Sequence, residues 1–271
     1  MYAAGWYPDP SRRDSVRYWD GRRWTEHVAH RPPPPPPPHP QLPLSMALGA
    51  MVATLASLVL SRYILEWLSN YDWPIPVYVA IAGLIGYGPV LAFCWLASYR
   101  VGSRSLRADT GLYIRKVDAG WGPVTWLGCI ASQIVLGTLI LVFRIPLTSN
   151  VEPIDGQGSA TRGYIISLLI LAVVAAPIIE EMVFRGVVMR GLRSRMGAPL
   201  AVGVQAVVFG LAHFDPVRGA GNIGLVLILS GAGAVLGFSA YRFRRIGPTM
   251  IAHAIINAIA MTIALTGLLE S

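Results

Sequence analysis

A chain of 271 residues that is 54% hydrophobic and only 13% charged does not have the balance of a soluble domain, which carries about 25% charged residues. Mean hydropathy is +0.53, so a membrane protein is expected. The formal charge of +8 does not point to nucleic acid, because the basic residues are scattered in the gaps between apolar runs.

Residues 1–31 read as a separate Trp-rich module. Gly5-Trp6-Tyr7-Pro8-Asp9-Pro10 precedes Arg17-Tyr18-Trp19-Asp20-Gly21-Arg22-Arg23-Trp24-Thr25, and Asp20-Gly21 between β-favouring aromatics signals a hairpin. The stretch resembles a short Trp-rich module of unknown function found at the N-termini of actinobacterial membrane proteins. A cytoplasmic docking module with a protein partner and a small cap with none are both open readings. Residues 32–43 form a proline-rich linker, Pro32 to Pro38 followed by His39 and Pro40. As polyproline II this run would extend on the order of 25–30 Å, a stiff spacer. No cleavable signal is read in this polar start, so the first apolar helix is expected to serve as an uncleaved anchor.

Residues 44–271 read as a polytopic, all-α membrane domain. About seven spans are expected, near 44–66, 77–99, 124–143, 161–182, 199–214, 222–242 and 248–268. The fifth is short, and the fourth is expected to continue to Arg195 as a protruding helix. Gly233 and Gly237, with Gly231 nearby, give the sixth span a small packing face. Cys94 and Cys129 lie within spans, without metal or redox spacing, and read as packing residues. With the N-terminus cytoplasmic, 18 of the 22 basic residues fall on the inner side. The expected topology in the cell membrane is therefore N-terminus in and C-terminus out.

Few ionisable groups remain inside the spans: Glu180, Glu181, His213 and His253. Such groups are expensive in a bilayer and mark function by default. Adjacent helical residues point about 100° apart, so the two glutamates face different ways. Glu181 and Arg185 are spaced i,i+4 and can pair along one face, which leaves Glu180 to face elsewhere. A carboxylate held away from bulk water suits a general base. Glu180 lies 17 residues before Gly197 and His213 lies 16 after it, so an antiparallel hairpin brings the two to equal depth. Phe209 shares the face of His213 and would wall off the site. His253 and Asn257 are again i,i+4, two donors on one face suited to an oxyanion.

Glu180-Glu181-x-x-x-Arg185, Phe209-x-x-x-His213 and His253-x-x-x-Asn257 resemble, in order, the three motifs of the CAAX prenyl protease and bacteriocin-processing (CPBP or Abi) family of intramembrane proteases. The resemblance covers about residues 120–268. It implies an all-helical membrane endopeptidase acting on peptide or protein substrates at the bilayer, usually classed as a metalloprotease. In the mechanism it implies, Glu180 and His213 activate water, His253 and Asn257 hold the oxyanion, and Glu181 with Arg185 supports the architecture. Zinc on Glu180, His213 and His253 is the alternative, although it would consume the only obvious base. The competing functional class is a non-catalytic membrane immunity or scaffold protein of the same fold. A transporter is disfavoured because the spans show no internal repeat. Ser167, Ser230 and Ser239 sit in no Gly-x-Ser-x-Gly elbow, and no His-Glu-x-x-His helix is present, which disfavours serine and zincin-type proteases.

Overall fold

Three short antiparallel strands, β1 (Gly5–Pro8), β2 (Ser15–Trp19) and β3 (Trp24–His30), form the N-terminal sheet in the order β1-β2-β3. The β2–β3 hairpin closes where Trp19 pairs with Trp24. Gly21 takes a φ of 95°, a left-handed value that glycine adopts without steric cost. The Asp20 carboxylate accepts the N–H groups of Arg22 and Arg23, both at 2.7 Å, and so fixes the turn. Edge-to-face rings stiffen the sheet: Trp6 with Tyr18 at 5.5 Å, and Trp19 with Trp24 at 5.3 Å. The Asp9 side chain is buried and accepts from Ser11 N at 2.8 Å, from Ser11 Oγ at 2.6 Å and from Arg17 Nε at 3.2 Å.

The computed structural model describes residues 3–12, 15–30, 42–148 and 162–266. The chain divides into two compact units, Met1–Pro38 and His39–Ser271. The proline run read as a linker lies outside the described residues, as do residue 161 of the fourth expected span and residues 267–268 of the last.

The second unit consists of α1 (Leu44–Leu68), α2 (Ile75–Val101), the short α3 (Leu106–Thr110), α4 (Asp118–Val142), α5 (Arg162–Leu192), α6 (Ala198–Leu211), α7 (Asn222–Phe243) and α8 (Gly247–Thr266). Among the described residues six helices are long and apolar enough to cross a membrane: α1, α2, α4, α5, α7 and α8. The fifth expected span is α6, which has only 14 residues. That length is about 21 Å at 1.5 Å per residue, short of a bilayer core of about 30 Å. Many large apolar side chains on α1, α2 and α4 face outward, among them Leu55, Leu84, Trp95 and Leu141. Such faces suit lipid contact.

Helix α5 differs from the protruding arm expected at its C-terminal end. Residues Met182 to Met189 are all buried, and α1 and α3 pack on them. Close approach makes this possible: a Cβ on Gly186 would lie 2.6 Å from Thr110 Cβ and 3.0 Å from Thr110 Cα. Arg190 donates to the carbonyls of Ala108 (3.3 Å), Asp109 (3.1 Å) and Arg244 (3.2 Å). It thereby ties the end of α3 to the end of α7. At the start of α8, Arg245 Nε meets both carboxylate oxygens of Asp118, at 3.0 and 3.1 Å. This pair ties the first turn of α4 to the segment that leads into His253. Val187, Val188, Phe184 and Phe209 belong to the main buried core with Met46 of α1. Cys94 and Cys129 are buried free thiols, in keeping with packing.

Hydrogen bonds from Ser11, together with the Arg17 charge, hold the Asp9 carboxyl below the ordinary carboxylate range. A depressed native value means that this stabilisation is present above the unfolded value of 3.8 and is lost as pH falls through the native one. Amide exchange of residues 5–19 in the full-length protein should therefore accelerate on acidification below about pH 4, relative to the trend of its intrinsic rate. In Asp9→Asn the exchange should already be fast at neutral pH.

Candidate active site

The two glutamates sit on one α-helical turn, Ala176–Glu181, flanked by π-helical stretches at Ile170–Ala175 and Met182–Val188. Pro177 accounts for part of this local geometry. The Ala176 N–H bonds back to Leu171 O, an i−5 pattern, so the next donor in register, for Ala172 O, would be the nitrogen of Pro177. Proline has no N–H, and the Ala172 carbonyl is left without that helical partner. Asn257 Nδ2 of α8 donates to it at 2.8 Å. A break in the ladder of α5 is thus repaired by a side chain from α8.

Glu181 and Arg185 are both fully buried and pair at 2.8 Å. The same Glu181 oxygen, Oε1, also faces His253 Nδ1 at 2.9 Å. Arg185 Nη2 reaches Gly233 O of α7 at 3.5 Å, and its guanidinium carbon lies 4.2 Å from the centre of the Phe209 ring. Gln205 of α6 donates to the same Gly233 carbonyl at 2.8 Å. Four helices therefore converge on one ion pair.

Glu180 faces the other way. Its Oε2 lies 4.0 Å from His213 Nε2 and 3.8 Å from His253 Nε2. Both separations exceed a direct hydrogen bond and fall in the range that one water bridges. His213 follows the end of α6, and its Nδ1 lies 2.8 Å from Phe209 O. A carbonyl can only accept, so Nδ1 carries the hydrogen and the neutral ring presents a lone pair at Nε2. The Phe209 ring sits edge-on to both imidazoles, at 4.9 and 5.9 Å. Side-chain exposure separates the two acids: Glu180 is 15% exposed and His213 24%, whereas Glu181 is 0%. Of the two acids, only Glu180 keeps any exposed side-chain surface.

Glu180, His213 and His253 are thus brought together, and Glu181 with Arg185 lies directly behind them. Asn257 finds its contact at Ala172, one helical turn along α8 from His253. Sequence reasoning missed Tyr87 of α2, whose hydroxyl donates to Glu180 Oε1 at 2.8 Å. It also missed that His253 stands between the two glutamates.

Residues 162–259 match the family model described as type II CAAX prenyl endopeptidase Rce1-like. This segment is similar to that family. It runs from the start of α5 into α8 and contains Glu180, Glu181, Arg185, Phe209, His213, His253 and Asn257. Tyr87 lies outside it. Residues 4–39 match a family of unknown function, DUF2510. No curated protein and no solved structure matches the chain. At the level of that family the match implies peptidase activity, and the six long apolar helices fit a multi-pass membrane protein.

As placed, the residues of the Rce1-like segment do not form a metal-holding group. A tetrahedral zinc shell with bonds of about 2.0–2.1 Å sets ligand atoms roughly 3.3 Å apart. The imidazole nitrogens stand 3.8 and 4.0 Å from Glu180 Oε2, and among the described residues no three His, Cys, Asp or Glu side chains gather as a metal site.

Glu181→Gln should lower the stability of the detergent-solubilised protein at least as much as it lowers turnover, since it leaves Arg185 buried without its counter-charge. The expected loss is about 3–5 kcal/mol, with Tm measured by scanning fluorimetry. A wild-type Tm with lost activity would contradict the structural role of the pair.

Proposed function

We propose that the Rce1-like segment is the core of an intramembrane endopeptidase in which Glu180 and His213 activate a water molecule. The observation that carries this reading is the convergence of two imidazole Nε2 atoms on one buried carboxylate oxygen that accepts no direct hydrogen bond. A water held there would lie within reach of Glu180 and His213, which can orient it and receive its proton. In the reaction, the water oxygen bonds to the scissile carbonyl carbon while its proton passes to Glu180, with the lone pair of His213 orienting the water. The carbonyl oxygen becomes an oxyanion, stabilised by His253 and by the amide hydrogen of Asn257 that Ala172 does not use. The C–N bond then breaks, and Glu180 returns the proton to the leaving amine.

Glu181 enters this scheme through His253. A carboxylate on Nδ1 fixes the imidazole ring, and an imidazolium so held offers Nε2–H to a developing negative charge. Arg185 keeps Glu181 paired in that role. The bulk of the two aromatic rings, Phe209 and Phe184, screens the pair from solvent.

The substrates of this reading are peptides or proteins presented at the bilayer. In this reading the protein belongs to the cell membrane, with its N-terminal module on the cytoplasmic side as a docking element for a protein partner or a small cap. The proposed organisation is the module at 1–31, a linker at 32–43 and the membrane domain at 44–271.

Glu180→Gln should abolish cleavage in reconstituted vesicles while expression and Tm stay at the parent values. Retained turnover would remove Glu180 as the base. A comparison of membrane peptides between cells carrying the parent and the Glu180→Gln form should show uncleaved substrate accumulating in the variant. Purified, active protein should contain far less than one zinc per chain. One zinc per chain, with activity lost to a chelator and restored by zinc, would replace glutamate-activated water with metal chemistry.

A further inference from the structure

Among the described residues, Tyr87 is the one polar contact that reaches Glu180 from outside the Rce1-like segment. It sits near the middle of α2, between Gly86 and Gly88. Its hydroxyl donates to Glu180 Oε1 at 2.8 Å, and the contact spans 93 residues of sequence. The two oxygens of Glu180 therefore have separate partners: Oε1 takes the phenol, and Oε2 faces the two imidazoles. A glutamate reaches its carboxylate through three rotatable bonds, and nothing on α5 itself fixes that plane. The phenol does.

The ring of Tyr87 has a second role. It lines an apolar cavity of about 420 Å³ between α2 and the first π-helical stretch of α5, together with Gly83, Leu84, Ile170, Leu171 and Ile179. One side of the tyrosine thus touches the acid, and the other forms cavity wall.

We infer that Tyr87 is a positioning residue, holding the Glu180 carboxylate by Oε1 so that Oε2 is presented to His213 and His253. This rests on the reading of Glu180 as the base. It assigns α2 a part in the reaction. The charged and titratable groups around Glu180 are then Tyr87 from α2, His213 after α6, His253 from α8, and Glu181 and Arg185 on α5 itself.

Tyr87→Phe tests it in the full-length protein in vesicles, because this change removes one oxygen and keeps the ring against the cavity. The expected result is a kcat lower by roughly 10- to 100-fold, the range for a hydrogen bond to a charged group, with KM within about twofold and Tm unchanged. The second readout does not depend on cleavage. A hydrophobic carbodiimide should modify Glu180 several times faster in Tyr87→Phe than in the parent, read by peptide mass spectrometry, since Oε1 is no longer covered. Equal labelling overturns the contact whatever the activity does. Faster labelling with an unchanged kcat, in a protein that Glu180→Gln inactivates, overturns the positioning role while the proposed function stands. A Tm loss that accounts for the whole drop in kcat reduces Tyr87 to a structural residue. If Glu180→Gln remains active, the proposed base fails instead, and with it the positioning role, even where labelling shows the contact.

Discussion

The buried pair between Glu181 and Arg185 is the interaction on which the membrane unit depends. Neither group has any exposed surface, and an isolated charge at that depth would be costly. Pairing along one helix face removes the net charge, and two further contacts of Arg185 go to neighbours. One meets the Gly233 carbonyl on α7, and the guanidinium plane lies over Phe209 on α6. Glu181 in turn receives His253 from α8. An ion pair that begins as a local matter of α5 becomes the point at which four helices agree on a register. The acid next to it in sequence can face the reactive side because its neighbour carries the packing.

Irregular backbone accompanies this arrangement. A π-helical stretch leaves carbonyls out of step with the amides that would satisfy them, and a membrane offers no water as a substitute. In α5 the misfit is answered from outside the helix, with Asn257 closing the gap that Pro177 opens at Ala172. This gives Asn257 an architectural contact in addition to the role proposed for its second amide hydrogen. The later π-helical stretch packs under α1 and α3, and Gly186 lets Thr110 approach closely. What reads in the sequence as a basic, outward-going end of a span is a buried support for the site.

Much of this arrangement was legible residue by residue. The i,i+4 spacing brings Glu181 and Arg185 together in any helix, and the near-equal distances to Gly197 bring Glu180 level with His213 in any antiparallel hairpin. Apolar runs of about 20 residues dictate spans, although run length alone could not show that α6 stops after 14 residues. Tyr87 was harder to see. A tyrosine within an apolar run contributes little to any periodic pattern, and only its mid-span position, far from the interfaces where tyrosine is favoured, hinted at a buried partner. His253 was read as a donor on one face, and its place between the two glutamates depends on the crossing of α5 and α8.

The sequence by itself determined a helical membrane protein with a small Trp-rich β module ahead of it, and it singled out the few ionisable residues within its apolar runs. Composition, run length and helical spacing are local quantities, and each can be read without a partner. Tertiary structure alone decided which oxygen of Glu180 faces which neighbour, that α2 supplies the hydroxyl on its far side, and that Asn257 closes a break in α5. Those contacts join residues up to 93 positions apart through helix crossings, and crossings are set by packing that no single helix encodes.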